Sequence, residues 1–242
     1  MSDTAASTTG ASTAGASTGW DATRVRLEDY FDRTAFDAWA ALTSDAPVSG
    51  IREKVRAGRA RMRDTLLSWL PHDLSGRRIL DAGCGTGALA VEAARRGADV
   101  VGIDVSPQLI SIACERAPRD VHGRVQFMSG DMLHDNLGVF DHIVSMDVLI
   151  HYSAAEIADA VARMADRTRH SVAFTYAPGT PLLRTMRLAG RLFPRSDRSP
   201  TIVPVGRSEL QSRLADTGHA LGRDARVNAA FYISHAQEVV TA

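Results

Sequence analysis

Asp81-Ala82-Gly83-Cys84-Gly85-Thr86-Gly87 follows the short apolar run Arg78-Ile79-Leu80 and precedes a helix-compatible segment from Ala88 to Arg95. Strand, glycine-rich turn and helix in that order set backbone N–H groups and the positive end of a helix at the tip of a parallel strand. The glycines let the chain turn sharply and let a ligand approach bare backbone. A nucleotide-type cofactor is the first expectation.

The loop fits two patterns. Gly83-x-Gly85-x-x-Ala88 matches the dinucleotide fingerprint, whose third position tolerates alanine. Gly83-x-Gly85-x-Gly87 headed by Asp81 suits S-adenosylmethionine. A carboxylate at the loop entrance repels a pyrophosphate and attracts the ammonium of a methionine moiety, so Asp81 favours the second pattern. Asp99-Val100-Val101-Gly102-Ile103-Asp104 reads as a second strand ending in an acid, at about the distance where an acid meets ribose hydroxyls. Asp131 follows the strand-like Arg124-Val125-Gln126-Phe127-Met128 and is placed to accept from an adenine amino group. Three acids after three successive strands point to S-adenosylmethionine. The expected cofactor contacts are Asp81, Gly83, Gly85, Gly87, Asp104 and Asp131, with Met132 beside the last acid and Met146 after the fourth strand.

Strands are expected at about 78–82, 99–103, 124–128, 140–146 and 170–176, with helices at about 87–96, 106–116 and 154–167 between them. That alternation predicts right-handed crossovers and an α/β, Rossmann-like, doubly wound sheet. Two further strands near 219–227 and 230–236 make it seven-stranded, mostly parallel, with a reversed final strand. Residues 1–19, almost entirely Ser, Thr, Ala and Gly, cannot bury apolar surface and read as a disordered tail. Residues 20–71 form an N-terminal helical arm, with one helical stretch from Asp21 to Leu42 and an amphipathic one from Ile51 to Leu70. Residues 72–242 form the cofactor-binding domain, with a helical cap insertion at 177–205.

The 242 residues, 45% of them hydrophobic, suffice for one substantial core. Net charge is zero, so no overall field favours nucleic acid or membrane. No apolar run approaches the ~20 residues of a membrane span, and the first residues lack a secretory pattern. Cys84 and Cys114 read as reduced thiols, and the eight histidines form no zinc-type cluster, so no metal site is expected and the chain reads as cytoplasmic.

Two arginine faces stand out. In the insertion, Arg184, Arg187, Arg191 and Arg195 oppose a stripe of Leu182, Met186, Ala189 and Phe193. In the arm, Arg52, Arg56, Arg59 and Arg63 oppose Ile51, Val55, Met62, Leu66 and Trp69. Each face is either solvated, or meets carboxylates of a large acidic substrate, which guanidinium geometry suits. For the arm face an anionic membrane surface is a further option.

Tyr30-Phe31-Asp32-Arg33-Thr34-Ala35-Phe36-Asp37-Ala38-Trp39 resembles the N-terminal signature of magnesium-protoporphyrin IX O-methyltransferases of (bacterio)chlorophyll synthesis. Met146-Asp147-Val148-Leu149-Ile150-His151-Tyr152 is similar to their second signature. Thr175-Tyr176-Ala177-Pro178-Gly179-Thr180-Pro181 and Phe231-Tyr232-Ile233-Ser234 also look alike. Ala35 stands where the family usually has glycine, and Ala40–Ala57 matches the pattern poorly. The resemblance implies methyl transfer from S-adenosylmethionine to one propionate of magnesium protoporphyrin IX, the one that later enters the fifth ring. It implies catalytic roles for Tyr30 and His151. It also implies association with the large subunit of magnesium chelatase and loose contact with the photosynthetic membrane.

On the residues alone, Tyr30 also reads as a core aromatic and His151 as the cap of the next helix. A propionate is ionised at neutral pH (carboxylic pKa ~4.3), so positioning rather than a strong base carries such a reaction. Tyr30 is then expected to seal the methyl-donor site and His151 to steer the propionate. Three alternatives stay open: methylation of a phenolic quinone precursor, which needs a base or metal; a non-catalytic S-adenosylmethionine-binding module; and an NAD-dependent enzyme, which Asp81 disfavours.

Overall fold

A computed structural model of the chain describes residues 19–33, 43, 49–121, 123–180, 202–229 and 232–241. The tail through residue 18, the arm signature beyond Arg33 and the four cap arginines lie outside the described residues.

Each expected strand forms. β1 (Arg78–Ala82), β2 (Asp99–Asp104), β3 (Arg124–Ser129), β4 (Phe140–Ser145) and β5 (Thr168–Tyr176) pair in parallel, and β6 (Ala220–Ala229) and β7 (Tyr232–Val240) complete the sheet. The order is β3-β2-β1-β4-β5-β7-β6, with β7 antiparallel to both neighbours. The chain winds outward from β1 to β3 and then returns to pair β4 with β1. That reversal leaves a crevice at the carboxyl ends of β1 and β4, where open α/β sheets bind ligands.

Strand alternation divides the core into two layers. Leu80, Val101, Ile143 and Val172 point to one face, where Ile157 and Val161 of α5 (Ala154–Ala165) and Leu210 and Leu214 of α6 (Arg207–Asp216) cover them. Ile79, Val100, Val144 and Ala173 point to the other, against α3 (Ala88–Arg95) and α2 (Gly50–Ser68). α2 is part of this second layer: Met62, Leu66 and Leu67 are fully enclosed, each contributing about 1.5–3 kcal/mol of transfer free energy. It lies so close to β7 that a Cβ at Gly58 would stand 2.8 Å from the Tyr232 ring. The helix therefore holds its arginine face in a fixed direction.

Local chemistry sets the helix starts. Ser153 and Glu156 form a reciprocal capping box on α5. Ser106 Oγ accepts from Leu109 N–H at the start of α4 (Pro107–Arg116), where Pro107 takes the first turn. α1 (Gly19–Arg33) lies against α4, and Ser106 Oγ donates to Asp32 Oδ1, tying the two together. α6 was not expected from the sequence. No helix among the described residues is long and apolar enough to cross a membrane.

Candidate active site

The loop after β1 turns through three left-handed glycines, Gly83 (φ 80°), Gly85 (φ 54°) and Gly87 (φ 82°). A Cβ at Gly83 would stand 2.0 Å from Val148 Cγ2, so any side chain there collides with the segment after β4. Gly83 and Cys84 donate backbone N–H groups to Ile103 O, at 2.8 and 3.0 Å, which locks the loop to β2. Together the strand tips and the two N-terminal helices enclose a cavity of about 370 Å³, within the range of small-ligand sites.

Asp81, Gly83, Gly85 and Asp104 line this cavity from the β1 and β2 side, and Asp131, Met132, Met146 and His151 from the β3 and β4 side. Two expected residues are not in its wall. Gly87 starts α3, packed so that a Cβ would lie 2.5 Å from the Phe127 ring. Tyr30 is half-buried, edge-on to Phe31 at 5.4 Å between ring centroids. Trp20, Arg24, Leu27 and Phe31, at helical spacing, form the cavity face of α1, and Tyr30 lies one residue off that face.

Asp81 is 2% exposed, and Oδ2 accepts from Ala90 N–H at 3.0 Å. Burial pushes its carboxyl up to about 7 against that hydrogen bond, and nearby Asp104 adds to the rise. A buried acid held partly neutral is stabilised as an anion by an incoming cation, which is what an ammonium group supplies. Burial also raises Asp104, although Gly85 N–H (2.9 Å) and Ser106 N–H (3.0 Å) each bond one of its oxygens. Each oxygen keeps a second lone pair for a hydroxyl. Asp131 Oδ1 accepts from Leu133 N–H at 2.9 Å, and Arg24 Nε stands 3.7 Å from Oδ2. These donors and acceptors fit S-adenosylmethionine: Asp81 for the ammonium, Asp104 for the ribose, and Asp131 with Met132 at the adenine end. Burial, with Asp81 and Asp104 close by, pushes the Cys84 thiol up, which removes it as a nucleophile.

Further wall residues include Asp147, which the sequence did not mark as a site residue, and three arginines of the face it offered as either solvated or a substrate contact. Asp147 is the described non-glycine residue with positive φ (61°). Its carboxylate is 4% exposed and accepts from Arg59 on α2 and from Tyr232 Oη on β7 at 2.8 Å, while Thr175 Oγ1 accepts from its backbone N–H at 2.7 Å. The short helical turn Leu149–His151 follows directly, and Val203 N–H donates to Ile150 O at 2.8 Å. Arg56, Arg59 and Arg63 also face the cavity, so three of the four arginines on that helix face turn inward and Arg52 is exposed. Trp20 stacks on buried Tyr152 at 4.2 Å. The buried donors Trp20 Nε1 and Arg24 Nε have no hydrogen-bond partner among the described residues, and both residues face the cavity.

A family model for the C-terminus of magnesium-protoporphyrin IX methyltransferase matches residues 145–241, and a methyltransferase-domain model matches residues 79–171. The magnesium-protoporphyrin O-methyltransferase of Rhodobacter capsulatus is 49% identical over 216 residues, covering 89% of this chain and 95% of that protein. The chain belongs to the magnesium-protoporphyrin O-methyltransferase family. The member from Synechocystis sp. is 30% identical over 91% of this chain and 96% of its own length. A crystal structure of magnesium protoporphyrin IX methyltransferase from Synechocystis PCC 6803 with bound SAH superposes with a TM-score of 0.81 at 28% identity, covering 91% of this chain and all of that one. The family therefore spans both halves of the site, the glycine loop and the segment after β4.

Proposed function

We propose that this chain transfers a methyl group from S-adenosylmethionine to a propionate carboxylate of magnesium protoporphyrin IX, giving the monomethyl ester in (bacterio)chlorophyll synthesis. The near-full-length, 49% identity to the Rhodobacter capsulatus enzyme carries this reading. The site adds a physical reason: acids for a cationic cofactor on one wall, and a histidine and arginines for an anionic acceptor on the others. We read the chain as one methyltransferase domain preceded by a helical arm, cytoplasmic and peripheral at the photosynthetic membrane, with the large subunit of magnesium chelatase as partner.

S-adenosylmethionine, when bound, supplies an electrophilic methyl group on a sulfonium centre. The chain's own contribution is to hold, orient and dehydrate. Asp81 and Asp104 anchor the cofactor at its ammonium and ribose. The acceptor carboxylate is ionised at neutral pH, so no residue has to remove a proton from it. His151, at the end of the turn after β4, steers that carboxylate. Tyr30 stands on α1 beside Phe31 and outside the cavity wall, so its proposed sealing of the donor side requires the arm to close over the bound cofactor. Alignment of nucleophile and leaving group is worth ~7–11 kcal/mol of barrier, and exclusion of water removes hydration from the attacking carboxylate.

The test is a mass-spectrometric product assay with S-adenosylmethionine and magnesium protoporphyrin IX, using metal-free protoporphyrin and a catechol as controls. One methyl group added to the magnesium porphyrin and little to the controls is the expected result. Methylation of the catechol alone would replace this reading with the phenolic one.

A further inference from the structure

Arg56, Arg59 and Arg63 recur at i, i+3 and i+7, one face of a helix, and all three are partly buried in the cavity wall. α2 is fixed behind them by Met62, Leu66 and the Gly58–Tyr232 contact. Arg59, in the middle, is committed to the enclosed Asp147 carboxylate. Arg56 and Arg63 flank Arg59, about 10 Å apart along the helix, and each has contacts of its own. Arg63 has an ion pair with Asp64, but at 3.9 Å and with a carboxylate 71% exposed, a weak competitor for an incoming anion.

Resting on the function proposed above, we infer that Arg56 and Arg63 form a carboxylate subsite for the propionate that is not methylated. Protoporphyrin carries two propionate arms, and methyl transfer removes the charge of one only. The other stays anionic in substrate and product alike, so a group that binds it contributes equally to ground state and transition state. Such uniform binding appears in KM and not in kcat. Guanidinium suits the task because its planar fork meets a carboxylate with two parallel hydrogen bonds. The cofactor offers one competing anion, its own carboxylate, while its ammonium is drawn to Asp81 in the same cavity; cofactor affinity in the arginine variants separates the two assignments.

The experiment compares magnesium protoporphyrin IX with its two mono-amides, each capping one propionate, on the parent enzyme, Arg56→Gln/Arg63→Gln and Arg56→Lys/Arg63→Lys. One amide blocks the reacting arm. With the other, the parent enzyme should show a roughly 10- to 100-fold rise in KM, the range of charge-assisted hydrogen bonds, with kcat held within about threefold. The glutamine pair should show that KM already and be indifferent to the cap; the lysine pair should fall between. Cofactor affinity by calorimetry should stay within about twofold in both pairs, which also reports folding. A parent enzyme indifferent to the cap, or a glutamine pair still sensitive to it, overturns the subsite. A parallel loss of cofactor affinity does so too, assigning the arginines to the cofactor carboxylate. Porphyrin binding is followed by absorbance in the presence of S-adenosylhomocysteine. If the parent enzyme forms no methyl ester, the proposed function fails, while the cap dependence of binding still decides the subsite.

Discussion

Arg59, on the second helix, closes on the carboxylate of Asp147, the residue that carries the chain from the fourth strand into the segment bearing His151. The pair joins two elements 88 residues apart in sequence, and Tyr232 Oη adds a third at 2.8 Å. Removing one partner of an enclosed ion pair leaves the other uncompensated. Asp147→Ala should therefore cost about 3 kcal/mol of stability, by denaturant titration. The φ of 61° is tolerated by asparagine, and Asp147→Asn keeps an acceptor for Tyr232, so it should cost clearly less. Equal losses in the two variants would assign the whole effect to the lost charge and none to the Tyr232 acceptor or the backbone conformation.

The raised carboxyl of Asp81 makes cofactor affinity depend on pH. In the free protein this group is half ionised at about 7, and an ammonium ligand binds the ionised form. Affinity should rise roughly fivefold between pH 6 and 7, with proton release on binding below neutrality. Above pH ~8 the cofactor's own α-amino group loses its proton, so the profile turns down again. Calorimetry in buffers of differing ionisation enthalpy measures both effects. The sign for folding is opposite. A carboxyl raised in the folded state stabilises fully below its unfolded value near 3.8, and that contribution is lost as pH rises through about 7. Asp81→Asn should flatten the acid limb of binding and gain stability relative to the parent at pH 8. A binding profile in Asp81→Asn that still climbs from pH 6 to 7 would locate the titrating group elsewhere.

Asp104 faces the cavity where the cofactor ribose is expected and also holds the glycine loop. In the fold each carboxylate oxygen accepts a backbone N–H, from Gly85 and from Ser106, so alanine also strips the glycine loop of its anchor. Orphaned buried donors cost about 1–3 kcal/mol each. Asp104→Ala should lower the melting temperature as well as cofactor affinity. Asp104→Asn, which keeps one acceptor oxygen and loses the charge that binds a ribose diol, should weaken affinity about tenfold with a smaller thermal shift. Parent-like affinity in the asparagine variant would remove the ribose role.

The glycine loop and the acids at the strand tips were legible because short apolar runs ending in turn residues locate the ends of buried parallel strands directly, and the topology then gathers those ends into one crevice. The rest depended on long-range facts. Periodicity put Arg56, Arg59 and Arg63 on one face, but only the packing of Met62, Leu66 and Gly58 against the sheet turns that face to the cavity. The left-handed backbone of Asp147 has no sequence signal, since aspartate tolerates that conformation without requiring it. Tyr30 and Phe31 are neighbours in sequence, and the rotation of α1, set by Asp32 and Ser106, decides that Phe31 meets the cavity. α6 was missed because only Leu210 and Leu214 of its ten residues are buried, too few to mark a helical period.

His151 separates positioning from base catalysis. Its turn is pinned by the Val203–Ile150 hydrogen bond and follows the Asp147 anchor, so the imidazole is delivered to the wall by rigid neighbours. If it only steers an already ionised carboxylate, His151→Ala should lose less than about 100-fold in kcat/KM, below most of the 10²–10⁴ range of general acid–base catalysis. Its pH–rate profile above pH 6 should follow the parent's, because the nucleophile needs no deprotonation there. His151→Asn, which keeps a donor of similar reach, should recover part of the loss. A drop beyond about 1,000-fold that is relieved by raising pH would instead make His151 the proton acceptor. That outcome would favour a weakly acidic acceptor such as a phenol over a carboxylate. The kinetics of this variant thus test the chemistry of the acceptor as well as the role of the side chain.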